Sequence, residues 1–273
     1  MTVVDHQGVR IAFEDSGAGL PIVLGHGFLC SGEMWREQVP ALVEHYRVIN
    51  PDFRGHGKSG HITEPFTLYD AVSDVVAVLD ELGIERAIWC GLSIGGMVAL
   101  RAALSHPERV AGLILMDTDA GSETAWHKVK YRAMGATARA FGFRPLLPSI
   151  VGLMFGATTR RENRALVNEW KARVAENHVP SMLLGLDALI KRDSVLDRLH
   201  EIRVPALVLV GEEDRSLPVA LSRRIHERLH DSTLTVIPGA GHLAAIERPA
   251  PVNEAITGFL AAQAKSADDG PDA

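Results

Sequence analysis

Apolar and polar residues fall along this chain in short blocks that alternate between a strand-like and a helix-like period. Residues 9–14 read as a strand, and the apolar run Ile22-Val23-Leu24 is a second one that stops at Gly25-His26-Gly27. Residues 31–44 have helical spacing, with Trp35, Val39 and Leu42 on one face and Ser31 or Gly32 as cap. A strand over 46–50 ends at Pro51. A helix over 67–82 carries Val72, Val75, Val76 and Leu79 as its apolar stripe, with Gly83 as its stop. The pattern then predicts a strand over 87–90, a helix over 94–104 closed by His106-Pro107, and a fully apolar strand over 110–116. Downstream come a strand over 206–210, a helix over 219–229, a strand over 234–237 and a last helix over 252–262.

Strands that are apolar on both faces and alternate with helices imply a mostly parallel sheet covered on both sides. Ligands of such sheets bind at the carboxyl ends of the strands. Residues 119–203 break the alternation. They are helix-rich and strandless, and Met134, Phe141, Phe143, Met154, Phe155, Trp170 and Met182 crowd into them. This stretch reads as a helical cap over the sheet, inserted into a core made of residues 1–118 and 204–263. Residues 264–273 are small, polar and acidic, and read as a disordered tail.

Composition narrows the class. The 273 residues are 47% apolar and 23% charged, as in ordinary globular proteins, and a chain of this length can bury a core without disulfides or a structural metal. The net charge is −6 with no basic tract, so nucleic acid is not an expected partner. No signal segment is evident over residues 1–6, and no apolar run reaches the ~18 residues of a membrane span. Cys30 and Cys90 have no framework spacing, and read as reduced, buried thiols of a cytoplasmic protein.

The candidate chemistry begins where the strand over 87–90 meets the next helix. Gly91-Leu92-Ser93-Ile94-Gly95 matches G-x-S-x-G at a strand-to-helix junction. A turn this tight forces strained backbone angles on the serine and presents its hydroxyl outward. It also demands small residues two before and two after, where Gly91 and Gly95 stand. The same glycines partly fit a dinucleotide-binding fingerprint, but Ser93 occupies the middle position that must be bare for pyrophosphate.

A serine nucleophile needs a base. Of twelve histidines, His242 in Pro238-Gly239-Ala240-Gly241-His242 follows the last strand, while His26 and His56 compete from earlier glycine-rich loops. The order nucleophile, acid, base on such sheets favours His242. The acid that orients the base is then Asp214, after the penultimate strand, with Asp117 at the end of the strand over 110–116 as rival; Glu213 would point elsewhere. Two backbone N–H groups, those of Phe28 and Ile94, are placed to hold an oxyanion. His226-Glu227-Arg228-Leu229-His230 fits a zinc-protease signature, but a buried stripe of Leu221, Ile225 and Leu229 puts both histidines at the solvent border. No metal site is expected there.

These residues resemble the α/β-hydrolase family from Val9 to Leu260. The matching pieces stand in order: Gly25 to Phe28, Asp52 to Ser59, Gly91 to Gly96, Gly211 to Pro218, and Gly241-His242. Within the family, Gly91 to Ala99 and Gly241 to Pro249 look like the serine branch of 3-oxoadipate enol-lactonases and small bacterial esterases and perhydrolases. The resemblance implies an eight-stranded, mostly parallel sheet with helices on both faces, and a helical cap between strands six and seven. It also implies that the Asp52 to Ser59 loop makes structural hydrogen bonds. The expected activity is that of a carboxylic ester hydrolase. A Ser93-Asp214-His242 triad would act on a small-molecule ester or lactone, an enol-lactone in the most specific version, without cofactor or metal. Leu29, Trp35, Trp126, Tyr131, Phe141 and Phe143 are candidates to line the substrate pocket. Carbon–carbon bond hydrolysis or perhydrolysis on the same triad, or a ligand receptor on the same fold, are the alternatives; oligomeric state is not legible.

Overall fold

The predicted blocks join into one sheet in the computed structural model, which describes residues 1–268. Its strands are β1 (Thr2–His6), β2 (Val9–Ser16), β3 (Leu20–Gly25), β4 (Tyr46–Pro51), β5 (Ala87–Leu92), β6 (Val110–Met116), β7 (Ala206–Gly211) and β8 (Ser232–Ile237). They lie in the order β1-β2-β4-β3-β5-β6-β7-β8. The β1–β2 and β2–β4 pairs are antiparallel and every other pair is parallel.

The helices follow in chain order: α1 (Val39–Leu42), α2 (Leu68–Glu81), α3 (Ile94–Ser105), α4 (Ala125–Phe141), α5 (Leu147–Met154), α6 (Ala157–Glu162), α7 (Arg164–Glu176), α8 (Val179–Lys191), α9 (Val219–His226), α10 (Ala244–Glu247) and α11 (Pro249–Asp268). The period-2 alternation of strand side chains explains why both faces of the sheet are covered. On β5, Ala87 and Trp89 pack with residues of α2, α3 and α9. Ile88 and Cys90 point the other way, into a second core shared with α1 and α11. Helices α4 to α8 lie between β6 and β7 and send Ala138, Ile150, Trp170 and Met182 into that second core.

Several expectations need correction. Residues 31–44 are not one helix: they split into a 3₁₀ turn over Gly32–Trp35, capped by Ser31, and the short α1, whose first turn holds Pro40. β1 escaped the sequence reading because, as an edge strand, it is only half-buried and lacks a clean apolar face. It enters through a hairpin turn in which Gln7 (φ 48°) and Gly8 (φ 75°) both adopt the left-handed conformation. On α2 the buried stripe is Leu68, Ala71, Val72, Val75, Val78 and Leu79, with Val76 at its border. Helix α9 stops at His226, so His230 lies beyond it and the two histidines do not share a helical face. The last helix begins at Pro249 and its backbone runs to Asp268, into the stretch read as a disordered tail; residues 269–273 lie outside the described ones.

Candidate active site

Parallel register brings the carboxyl ends of β5, β6 and β7 side by side, with Leu92 opposite Met116 and Met116 opposite Leu209. The loops leaving those ends carry Ser93, Asp117 and Asp214.

Ser93 sits between β5 and α3 with φ 56° and ψ −114°, a conformation that costs a non-glycine residue about 1–3 kcal/mol. The surroundings over-determine it. Its N–H donates to the Met116 carbonyl at 2.9 Å. Its own carbonyl accepts from Thr118 Oγ1 at 2.7 Å and from the Met97 N–H at 3.0 Å. The glycines are needed because the turn packs backbone on backbone. A Cβ on Gly91 would lie 2.2 Å from the Gly95 carbonyl carbon, and one on Gly95 would lie 2.1 Å from the Gly25 oxygen. Ile94 is the first residue of α3, so its N–H has no acceptor within the helix.

His242 lies between β8 and α10. Its Nδ1 donates to Asp214 Oδ2 at 2.8 Å, and Asp214 Oδ1 accepts the N–H groups of Ser216 (2.8 Å) and Leu217 (2.9 Å). That bond fixes the tautomer and leaves Nε2 as an acceptor on the other side of the ring. Ser93 and His242 line the same cavity, together with Gly27 and Phe28. Among the described residues the Ser93 hydroxyl bonds to no other group, His242 included. Such contacts commonly tighten only when substrate is bound.

The competing groups are occupied elsewhere. Both ring nitrogens of His26 are used: Nδ1 donates to the Gly27 carbonyl (2.8 Å) and Nε2 accepts the Phe53 N–H (2.9 Å). Burial pushes this ring down to about 4, and His56, buried beside it and bonded to the Arg54 carbonyl, is pushed down to about 3. Both therefore stay neutral and hold loops. Asp117 does not reach His242. Its Oδ1 accepts the Gly211 N–H at 2.7 Å, and burial, then the neighbouring Asp214 charge, push its carboxyl well up. Glu213 turns away to accept both the N–H and the hydroxyl of Thr158. In the Asp52 to Ser59 loop, Asp52 accepts the N–H groups of Gly32 and Lys58, both at 2.7 Å.

Sequence reading missed Glu247. This buried carboxylate accepts from the N–H groups of Gly241 (2.9 Å) and Leu243 (3.3 Å), on either side of His242, and from Gly156 N–H in the α5–α6 loop (2.9 Å). The only local signal was an acid inside the apolar run after His242.

The cavity has a volume of about 150 Å³. Leu29, Tyr131 and Phe143 line it, along with Met97, Met134 and Met182. Trp35, Trp126 and Phe141 do not. Trp35 is fully buried in the core beneath the sheet, because the 3₁₀ turn carrying it points inward. Trp126 and Phe141, at the two ends of α4, are each 74% exposed. Both thiols are buried, and burial pushes Cys30 up to about 12. Among the described residues no cluster of three or more His, Cys, Asp or Glu is placed to hold a metal ion, and no helix is long and apolar enough to cross a membrane.

Residues 21–249 match the family model of the alpha/beta hydrolase fold. The chain belongs to this family. Among its relatives is 3-oxoadipate enol-lactonase 2 of Acinetobacter baylyi, 30% identical over 83% of this chain and 83% of the other. The fold is also similar to that of a thermophilic esterase from Thermogutta terrifontis solved with malate bound. There the TM-score is 0.90 and the identity 29%, over 96% of this chain and 98% of that one. An enol-lactonase from Burkholderia xenovorans matches with a TM-score of 0.89 and 25% identity, over 95% of this chain and 100% of the other.

Proposed function

We propose that this α/β hydrolase cleaves small carboxylic esters or lactones through an acyl-enzyme on Ser93. One observation carries the reading. The strained Ser93 and a His242 whose Nδ1 is bonded to buried Asp214 open onto one apolar cavity. Ser93 Oγ attacks the carbonyl carbon while His242 Nε2 takes the hydroxyl proton. The N–H groups of Phe28 and Ile94 receive the oxyanion. As the tetrahedral intermediate collapses, the carbon–oxygen bond breaks and His242 gives its proton to the leaving alkoxide. Water then attacks the acyl carbon, passes a proton to His242, and the acid departs as Ser93 Oγ recovers that proton. Asp214 keeps the imidazole in the required tautomer and stabilises its cation. Every step uses only this chain's groups and water.

In this reading residues 119–203 act as a cap that closes the pocket over a core of residues 1–118 and 204–263. The two buried free thiols suit a reducing, cytoplasmic setting. The test is hydrolysis of a short-chain aryl ester by the wild type and Ser93→Ala, with mass spectrometry after an organophosphonate probe. Turnover lost in the variant, with a single adduct on Ser93, is the expected result. Neither turnover nor adduct in the wild type would overturn the reading in favour of a receptor or a non-hydrolytic use of the fold.

A further inference from the structure

The wall of the cavity is mostly apolar, with Ser93, Tyr131, Ser216 and His242 among its polar members. Where α4 starts and α8 ends, the lining also holds Glu123 and Arg192, a carboxylate facing a guanidinium. Arg192 is almost fully enclosed, with 2% of its side chain exposed, yet its donors are nearly all taken. Nε donates to the Gly121 carbonyl at 2.9 Å. Nη1 donates to Glu123 Oε2 at 2.8 Å and to the Leu189 carbonyl at 3.0 Å, and Nη2 reaches Asp119 at 3.4 Å. Glu123 is equally engaged. Its other oxygen accepts from His127 Nδ1 at 2.9 Å and from the Thr124 N–H at 3.1 Å. Asp119 in turn lies 3.6 Å from Arg224. Two cations and two carboxylates therefore cancel, and the Arg192 fork is closed by protein acceptors.

We propose that the Glu123–Arg192 pair makes this a pocket for uncharged acyl chains of about six carbons, a cavity of this size matching a benzene-sized guest, and excludes acyl chains ending in a carboxylate. The inference rests on the ester-hydrolase reading and adds its substrate class. A carboxylate entering this end would lose its water, find no open donor fork on Arg192, and meet the Glu123 carboxylate at close range. A free carboxylate on a substrate is held most strongly where a cation or an open donor fork is left uncompensated. Arg192 is placed to be that cation but is silenced by Glu123, which makes Glu123 a specificity-determining residue.

The experiment compares kcat/KM for the 4-nitrophenyl ester of hexanoic acid with that of the mono-4-nitrophenyl ester of adipic acid, the same chain with a terminal carboxylate. The wild type should prefer the hexanoyl ester by at least ~100-fold. In Glu123→Gln the Arg192 fork loses its charged acceptor, and the preference should shrink by ~10-fold or more. In Glu123→Gln/Arg192→Met the end is neutral again and the preference should return. Binding of hexanamide and of adipic monoamide to Ser93→Ala, by calorimetry, separates this inference from the hydrolase reading and from any variant that fails to fold. Tight hexanamide and weak monoamide binding supports the inference even if no ester is turned over, an outcome that would count only against the hydrolase reading. Equal binding, or a wild-type preference near one, overturns the inference, as does a preference that Glu123→Gln leaves unchanged.

Discussion

His26 allows a quantitative test of how the loop after β3 is held. Its neutral ring bridges the Gly27 carbonyl and the Phe53 N–H, so a second proton would have to displace the Phe53 bond inside a fully buried site. Burial accordingly lowers its pKa from 6.5 to about 4. In the unfolded chain the ring titrates near its ordinary value. Between these two values the unfolded state binds a proton that the folded state does not. The stability His26 contributes is thus fully present above the unfolded pKa and is lost as pH falls toward the folded one. At about 1.4 kcal/mol per pH unit, the window from 6.5 down to about 4 corresponds to about 3 kcal/mol. Asp117 and Glu247, whose carboxyls are raised, act in the opposite sense, since the folded state keeps protons that the unfolded state releases as pH rises. A wild-type curve alone would mix these effects, and comparison with His26→Gln removes the shared ones. Urea unfolding followed by tryptophan fluorescence, from about pH 7.5 to about pH 4.5, should show the stability gap between the two proteins changing by about 2–3 kcal/mol, with the wild type losing more on acidification. Parallel curves would refute the reasoning, because they would mean that the folded state does not keep His26 neutral.

Further predictions follow from the same geometry. Asp214→Asn should lower kcat by ~10³–10⁴-fold in steady-state ester hydrolysis. Asp117→Asn should change it by less than ~10-fold, since the Asp117 carboxyl accepts from the Gly211 N–H and does not meet His242; the reverse ranking would make Asp117 the acid. Gly95→Ala forces a Cβ to within 2.1 Å of the Gly25 oxygen. It should lower Tm by roughly 10 °C or more in a thermal melt, or prevent folding. Glu247→Ala leaves the N–H groups of Gly156, Gly241 and Leu243 without their acceptor. A loss of about 3 kcal/mol or more by urea titration is expected, with kcat falling while KM changes little. Trp126→Ser, on the exposed outside of α4, should leave kcat/KM within about twofold.

Where a feature is local, the sequence was enough to read it. The strand-to-helix turn at Ser93 needs small residues at 91 and 95, and both the G-x-S-x-G spacing and the switch of period around it are visible in a dozen residues. Strands β5, β6 and β7 are apolar on both faces, so their burial and parallel pairing followed from composition alone. The edge strand β1 failed the same test because its faces are half solvated. The 31–44 stretch misled because Pro40 and the deep burial of Trp35 outweigh a helical spacing too short to enforce itself.

Chain order and loop composition made Ser93, Asp214 and His242 candidates, but His26 and His56 sit in equally glycine-rich loops. Only the folded arrangement shows that His26 uses both nitrogens on backbone groups and that His242 Nδ1 meets Asp214. The pocket wall was legible least of all. Spacing shows that α4 repeats apolar residues, but both Tyr131 and Trp126 fit such a repeat, and which one faces the cavity depends on how the helix is rolled against α8 and the sheet. Glu247 and the Glu123–Arg192 pair look in sequence like any surface charges. Turns and periodicities are set by neighbours along the chain, and so the sequence by itself determined the fold and the elbow. Partners that meet across elements far apart in sequence are set by packing, and only the tertiary structure could decide them.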